Sequence, residues 1–161
     1  MIPLPMNGPM TIAVDTNILV YALDPQAQPP GRHEAAVSLL KRLHRADCVI
    51  PGQVLGEFIA VAVRKCGMER EKAVSSARTL STAFPVVFAD HGCFKRAVEL
   101  FQEHKLQFWD SLIYTTAERH GCTLLLSEDF QDGRRLGATL IINPFNAGNR
   151  VVLDAALPAV E

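Results

Sequence analysis

The sequence lacks the apolar run that a membrane-spanning helix needs, because no stretch of about 18 apolar residues occurs among its 161 residues. Its first residues, MIPLPMNGPM, also lack the basic start and following apolar stretch of a secretory signal. We therefore expect a cytoplasmic protein that does not associate with a membrane.

Clustered metal-binding cysteines and a glycine-rich phosphate loop are missing as well. The four cysteines are scattered without a CxxC pair, and we expect them to be reduced and mostly buried. No GxxxxGKS segment occurs, the histidines have no metal-binding spacing, and no Ser, His and Asp arrangement stands out. The sequence therefore predicts neither a zinc site nor a P-loop.

Short apolar runs alternate with stretches of helical periodicity, and 48% hydrophobic content suits one compact domain. Strands are predicted at Thr11–Val14, Cys48–Ile50, Val86–Phe88, Thr123–Leu126 and Thr139–Ile142. Helices are predicted at Asn17–Leu23, Arg32–Arg45, Gly52–Cys66, Glu69–Ala83, Gly92–His104 and Trp109–His120. This order predicts an α/β fold, a three-layer α/β/α sandwich around a mostly parallel sheet. A flexible extension at 1–9 and a loosely held C-terminal tail at 146–161 flank the domain at 10–145.

Two predicted strands run directly into acidic residues. The first strand stops at Asp15, and ligands of an open parallel sheet gather where its strands end. Capping of the following helix is an alternative role for this residue. After the fourth strand, Ser127 and Asp129 are two residues apart and can both turn toward the strand end, which favours Asp129 over Glu128 and Asp132.

Two further acids interrupt apolar helical stretches. Glu57 lies beside the apolar face of its predicted helix, where a carboxylate is costly unless something compensates it. A structural salt bridge with Arg64 is the alternative. Asp110 lies on the core-facing stripe in the first turn of its helix, and stabilisation of the helix start is its alternative role.

Carboxylates that lie close together raise one another's pKa unless a divalent cation neutralises them, so these four acids predict a metal site. Mg²⁺ is the hard-oxygen candidate, and it leaves room for a substrate phosphate and an activated water. That arrangement suits phosphodiester hydrolysis without a protein nucleophile. A phosphatase with an aspartyl-phosphate intermediate is the alternative, but it needs an Asp where this chain has Asn17.

The net charge of −1 gives no overall attraction for nucleic acid, so such a partner would need local basic residues. Arg64 and Lys65 follow the second acid, and Arg134 and Arg135 follow the fourth, which makes these four the candidates. The alternative is that these basic residues only form solvent-exposed helix faces and bind no nucleic acid. A further basic group lies on the second predicted helix at Lys41, Arg42 and Arg45.

The segments VDTNILVYALD, VLGEFIAVAVRK, FWDSLIYTTAERHGCTLLLSEDFQDG and IINPF follow one another between residues 10 and 145. In this order they resemble the PIN domain and, more narrowly, the VapC toxins of bacterial toxin and antitoxin pairs. The resemblance implies a Rossmann-like parallel sheet of about five strands. It also implies an endoribonuclease that depends on Mg²⁺ or Mn²⁺.

The resemblance assigns roles to individual positions of this sequence. The implied metal-binding and catalytic acids are Asp15, Glu57, Asp110 and Asp129, and the implied supporting residues are Thr16, Asn17 and Ser127. Among the acids, Glu57 is favoured as the base that orients the water. The resemblance further implies an RNA substrate, a cognate antitoxin and a toxin homodimer. An RNA-processing nuclease without an antitoxin, and a PIN-like scaffold that only binds RNA or protein, are the alternatives.

Overall fold

The computed structural model describes residues 10–160, so the predicted extension at 1–9 lies outside the described residues. Five strands form one sheet in the order β3-β2-β1-β4-β5, and each neighbouring pair is parallel. They are β1 Ile12–Val14, β2 Cys48–Pro51, β3 Val86–Val87, β4 Leu124–Leu126 and β5 Leu140–Ile142. All strands except β3 are buried along their whole length, as a parallel sheet covered on both faces requires.

Seven α-helices of the described residues flank this sheet and confirm the predicted three-layer fold. They are α1 Thr16–Leu23, α2 Arg32–His44, α3 Gly52–Arg64, α4 Arg70–Ala83, α5 His91–His104, α6 Phe108–Arg119 and α7 Arg150–Ala156. Within residues 10–160, no helix has the length and apolar character needed to cross a membrane.

The strand order creates a crevice between β1 and β4. The chain moves from β1 through β2 to β3 on one side, and then crosses to β4 on the other side of β1. Val14 pairs with Leu126, and the Asp15 backbone N–H donates to the Leu126 carbonyl oxygen at 3.0 Å. Asp15 and Ser127 therefore leave the sheet at the same edge, at the switch point where open α/β sheets bind ligands.

The buried stripes of two helices fix where their acids lie. On α3, Val54, Phe58 and Ala62 are buried at four-residue spacing, so the neighbouring Glu57 lies at the border of the stripe and is half-buried. On α6, the buried residues continue the line of the half-buried Asp110 into the core. The four cysteines are free, and three of them are buried in this core, as predicted.

The prediction of a loosely held segment after Phe145 is wrong. This segment contains α7, whose Val152 and Leu153 are buried in the core. Arg42 on α2 donates to the carbonyl oxygens of Leu153 and Leu157 at 3.2 and 3.0 Å. The Leu153 carbonyl oxygen also accepts from the Leu157 backbone N–H, whereas the Leu157 carbonyl oxygen lies past the end of α7 and receives its donor from Arg42.

Candidate active site

Asp15 lies between the end of β1 and the start of α1, and only 2% of it is exposed. Its Oδ1 accepts a hydrogen bond from the Thr16 backbone N–H at 2.6 Å, and its Oδ2 accepts one from the Ser127 hydroxyl at 2.6 Å. One oxygen thus has the predicted capping role, while the other faces the neighbouring strand. Burial raises the pKa of Asp15 to about 6 despite these bonds, and the charges of Asp129 and Asp110 act in the same direction.

Ser127 connects two of the acids. Its hydroxyl donates to Asp15 and accepts a hydrogen bond from the Asp129 backbone N–H at 3.1 Å. The Asn17 side chain donates to both carboxylate oxygens of Asp129 at 3.0 Å. Partial desolvation and the negative charge of Glu128 raise the pKa of Asp129. All three predicted supporting residues therefore hold acids of the site, because Thr16 also contacts one.

Glu57 reaches the site from α3. Its two oxygens accept hydrogen bonds from the Thr16 hydroxyl at 2.8 Å and from the Gln53 side chain at 2.6 Å. The alternative salt bridge with Arg64 is wrong, since that guanidinium instead donates to the Ala60 carbonyl oxygen at 3.3 Å. Glu57 is thus tied to the start of α1, directly beside the first acid.

Asp110 is the third residue of α6 and is half-buried. Desolvation, followed by the charges of Asp129 and Glu57, raises its pKa to about 6. A role limited to stabilising the start of the helix would favour the charged form, so it does not explain this shift. The charges of Asp129 and Glu57 thus lie near enough to Asp110 to raise its pKa, as those of Asp129 and Asp110 do for Asp15.

Glu128 and Asp132, the alternatives to Asp129 as the fourth acid, form contacts outside the site. Glu128 accepts a hydrogen bond from the Tyr21 hydroxyl and forms an ion pair with Arg32 at 3.5 Å. The Asp132 carboxylate accepts hydrogen bonds from a backbone N–H and two side-chain amides near the end of β5. These donors belong to Asn143, Asn146 and Asn149. Both acids therefore have structural contacts that leave Asp129 as the acid facing the site.

The donor chemistry of this site fits a hard divalent cation, because it consists of carboxylates whose charges oppose one another. No three or more His, Cys, Asp or Glu side chains within residues 10–160 are arranged so that they could hold one ion. Mg²⁺ usually takes one or two direct carboxylates and keeps several waters. The arrangement therefore suits a hydrated ion held by a pair of acids rather than a protein cage.

The predicted basic residues lie in two segments, the end of α3 and the stretch before β5. Arg64 and Lys65 are exposed at the end of α3, about 10 Å beyond Glu57 along the helix axis. Arg134 is half-buried and Arg135 is exposed in the segment that leads to β5. In the described part of the chain, none of these four forms an ion pair with the site acids.

Two residues that contact acids in or beside the site, Gln53 and Arg32, are not among those predicted from the sequence. Gln53 donates to Glu57 and also to the Trp109 carbonyl oxygen at 3.1 Å. Its four-residue spacing from Glu57 on a helix is a signal that could have indicated this contact. Arg32, which holds Glu128, has no local signal because the two residues are far apart in sequence.

The model of the PIN domain family matches residues 12–133, a segment that contains all four acids. The chain belongs to the PIN domain family. No curated protein matched this chain in a sequence comparison.

Several solved structures share the fold of this chain. The Sarcin-Ricin loop cleaving toxin VapC20 of Mycobacterium tuberculosis has 22% identity and a TM-score of 0.59, covering 71% of this chain and 87% of that chain. A toxin-antitoxin complex from Klebsiella pneumoniae has 20% identity and a TM-score of 0.61, with 84% and 98% coverage. VapBC2 from Rickettsia felis, bound to a promoter DNA fragment, has 19% identity and a TM-score of 0.59, with 82% and 97% coverage. These likenesses confirm the PIN-like fold.

Proposed function

We propose that this PIN domain protein is a metal-dependent endoribonuclease and the cytoplasmic toxin of a toxin-antitoxin pair. The observation that carries the proposal is the convergence of four acids from separate segments at the switch point of the sheet. These are Asp15, Glu57, Asp110 and Asp129. The similar VapC20 is a Sarcin-Ricin loop cleaving toxin, which supports RNA as the substrate here.

Each acid has a role that follows from its contacts. A pair of the three acids Asp15, Asp110 and Asp129 would hold Mg²⁺ or Mn²⁺, with water in the remaining positions. When bound, the ion polarises the scissile phosphate and lowers the pKa of the attacking water. Ser127 fixes Asp15 and the loop of Asp129 in one orientation. Glu57, whose oxygens are held from two sides, orients the water and accepts its proton.

We also propose an antitoxin partner and a homodimer of this chain, built on the domain at 10–145. The similar structures from Klebsiella pneumoniae and Rickettsia felis are complexes of a toxin with its antitoxin. The acidic site would attract a basic side chain of such a partner. Expression of this chain alone in a bacterium should therefore arrest growth, and co-expression of the cognate antitoxin should restore it.

The proposed metal dependence has a direct test in purified protein. Millimolar Mg²⁺ or Mn²⁺ should support RNA cleavage and raise the unfolding temperature, because binding to the native state opposes unfolding, and EDTA should remove both effects. Asp110→Asn and Asp129→Asn should each reduce the metal-dependent rise, measured by differential scanning fluorimetry.

Glu128→Gln is the matched control for these variants, since it removes a charge beside Asp129 but from a side chain held by Tyr21 and Arg32. Its metal-dependent rise should equal that of the wild type. An equal rise in all of the variants would contradict a shared metal site.

Basic side chains must offset the repulsion between the carboxylates and RNA phosphates. We propose that Arg64, Lys65, Arg134 and Arg135 do so. Joint replacement of Arg134 and Arg135 by Gln should weaken RNA binding and reduce its salt dependence, by about 0.7 in logarithmic slope for each lost phosphate contact. Fluorescence anisotropy in EDTA at several salt concentrations measures both quantities.

The metal-dependent rise in unfolding temperature should remain in this double variant, which separates RNA binding from metal binding. An unchanged affinity and salt slope would contradict the assignment. That result would place the RNA path at the basic end of α2, with Lys41, Arg42 and, directly after the helix, Arg45.

A further inference from the structure

Four aromatic side chains of residues 10–160 are strongly exposed. Phe88 is 68% exposed, Trp109 62%, Phe101 53% and Phe94 49%. The rings of Phe94, Phe101 and Trp109 lie edge-on to the ring of Phe108, with centroids 5.9, 6.5 and 5.3 Å away. Single exposed apolar side chains are common on proteins, but a contiguous exposed group marks an interaction surface.

Trp109 joins this surface to the acids. It directly precedes Asp110, and its carbonyl oxygen accepts a hydrogen bond from Gln53 Nε2 at 3.1 Å. The same nitrogen donates to Glu57 at 2.6 Å. The exposed indole lies edge-on to the Phe108 ring, one residue before Asp110 in the first turn of α6. Trp109 therefore lies at the rim of the site.

Phe88 occupies a second position at this rim. It directly follows β3, so it leaves the parallel sheet at the same edge as Asp15. Its ring lies against Gly52, the first residue of α3, where an added Cβ atom would collide with the ring. The first turn of α3 thus contacts the Phe88 ring through Gly52 and the Trp109 backbone through Gln53.

The charge distribution of the site favours an uncharged mode of RNA binding at this rim. The carboxylates repel phosphate, and Arg64 and Lys65 lie about 10 Å away from Glu57 along α3. The net charge of −1 adds no general attraction. Stacking of bases on aromatic rings adds affinity without a cationic side chain, and every base has a face that can stack.

We infer that Trp109 and Phe88 form a base-stacking rim that binds an unpaired nucleobase next to the scissile phosphate. This inference rests on the proposed ribonuclease function and assigns the two residues of this chain that would contact a base beside the cleaved bond. Bases inside an RNA duplex are already stacked and paired, whereas those of loops and ends can be splayed out onto aromatic side chains.

Trp109 is the only tryptophan of the chain, so its fluorescence reports on this position alone. Titration of the wild type in EDTA with a short single-stranded RNA should quench the emission, because the base stacks on the indole. The same sequence in a duplex should bind without quenching.

In anisotropy measurements, Trp109→Leu should weaken binding of the single strand by about 5- to 150-fold. Trp109→Phe should retain most of the affinity, and Phe88→Leu should weaken it.

Phe101→Ala is the matched control, because Phe101 is an exposed aromatic residue of the same surface but belongs to α5 and contacts Phe108. RNA affinity should not change in this variant. Equal losses in Phe101→Ala and Trp109→Leu would overturn the rim and indicate a protein-docking face. Tryptophan emission that falls when the protein is concentrated, and does not change when RNA is added, would also overturn the rim. That result would indicate that Trp109 contacts a second copy of the chain.

The test separates this inference from the proposed function, because quenching is measured in EDTA and needs no cleavage. Quenching by single-stranded RNA without any cleavage in Mg²⁺ would support the rim and contradict the ribonuclease. Cleavage without quenching, or no binding of single-stranded RNA, would overturn the rim.

Discussion

Replacement of Asp15 by Asn is expected to lower RNA cleavage by at least about 100-fold and, without metal, to stabilise the fold at pH 7. Asp15 is 2% exposed, and burial raises its pKa from 3.8 to about 6. Its ionisation at pH 7 therefore costs the folded state about 3 kcal/mol. Asn removes the charge but leaves one oxygen for the Thr16 and Ser127 donors, so the net gain is smaller, about 1 to 2 kcal/mol.

The sign of the pH effect follows from the same shift. The folded-state pKa of Asp15 lies above the unfolded value, so the folded protein binds this proton more tightly. The resulting stability is complete below pH about 4 and is lost as the pH rises through about 6. Denaturant unfolding in EDTA should show a larger loss of stability between pH 5 and pH 7 in the wild type than in Asp15→Asn.

Asp154→Asn, which changes an exposed acid on α7, is the control and should cleave RNA normally. Two results would contradict the assignment of Asp15. One is wild-type cleavage by Asp15→Asn, and the other is the same pH dependence of stability in both proteins.

The secondary structure could be predicted closely because its signals are local. The predicted first strand, Thr11–Val14, differs from β1 by one residue, and the helix predicted from Trp109 begins at Phe108. The Ala- and Pro-containing tail was harder to predict, because α7 depends on burial against the core and on Arg42 of a distant helix. Such long-range contacts leave no periodic signal in a short segment.

The site shows the same division between local and distant signals. Apolar surroundings and the ends of strands correctly place Asp15 at the switch point. Sequence proximity favours Arg64 as the partner of Glu57, but the two are seven positions, about 10 Å, apart along the axis of α3. The actual partners are Gln53, one helical turn away, and Thr16, which only the packing of α1 against α3 brings near.

Glu57→Gln should lower the rate constant of RNA cleavage by about 10²- to 10⁴-fold, with little change in RNA affinity or in the free energy of unfolding. The amide keeps the shape of the side chain and one oxygen that can accept a hydrogen bond from Thr16 or Gln53, but it cannot take a proton from water. Single-turnover cleavage from pH 5 to pH 9 measures this role, since loss of the base removes its limb of the pH profile. Glu128→Gln should cleave within a few-fold of the wild type. Full cleavage by Glu57→Gln would transfer the role of base to another acid and leave Glu57 as the group that joins α1 to α3.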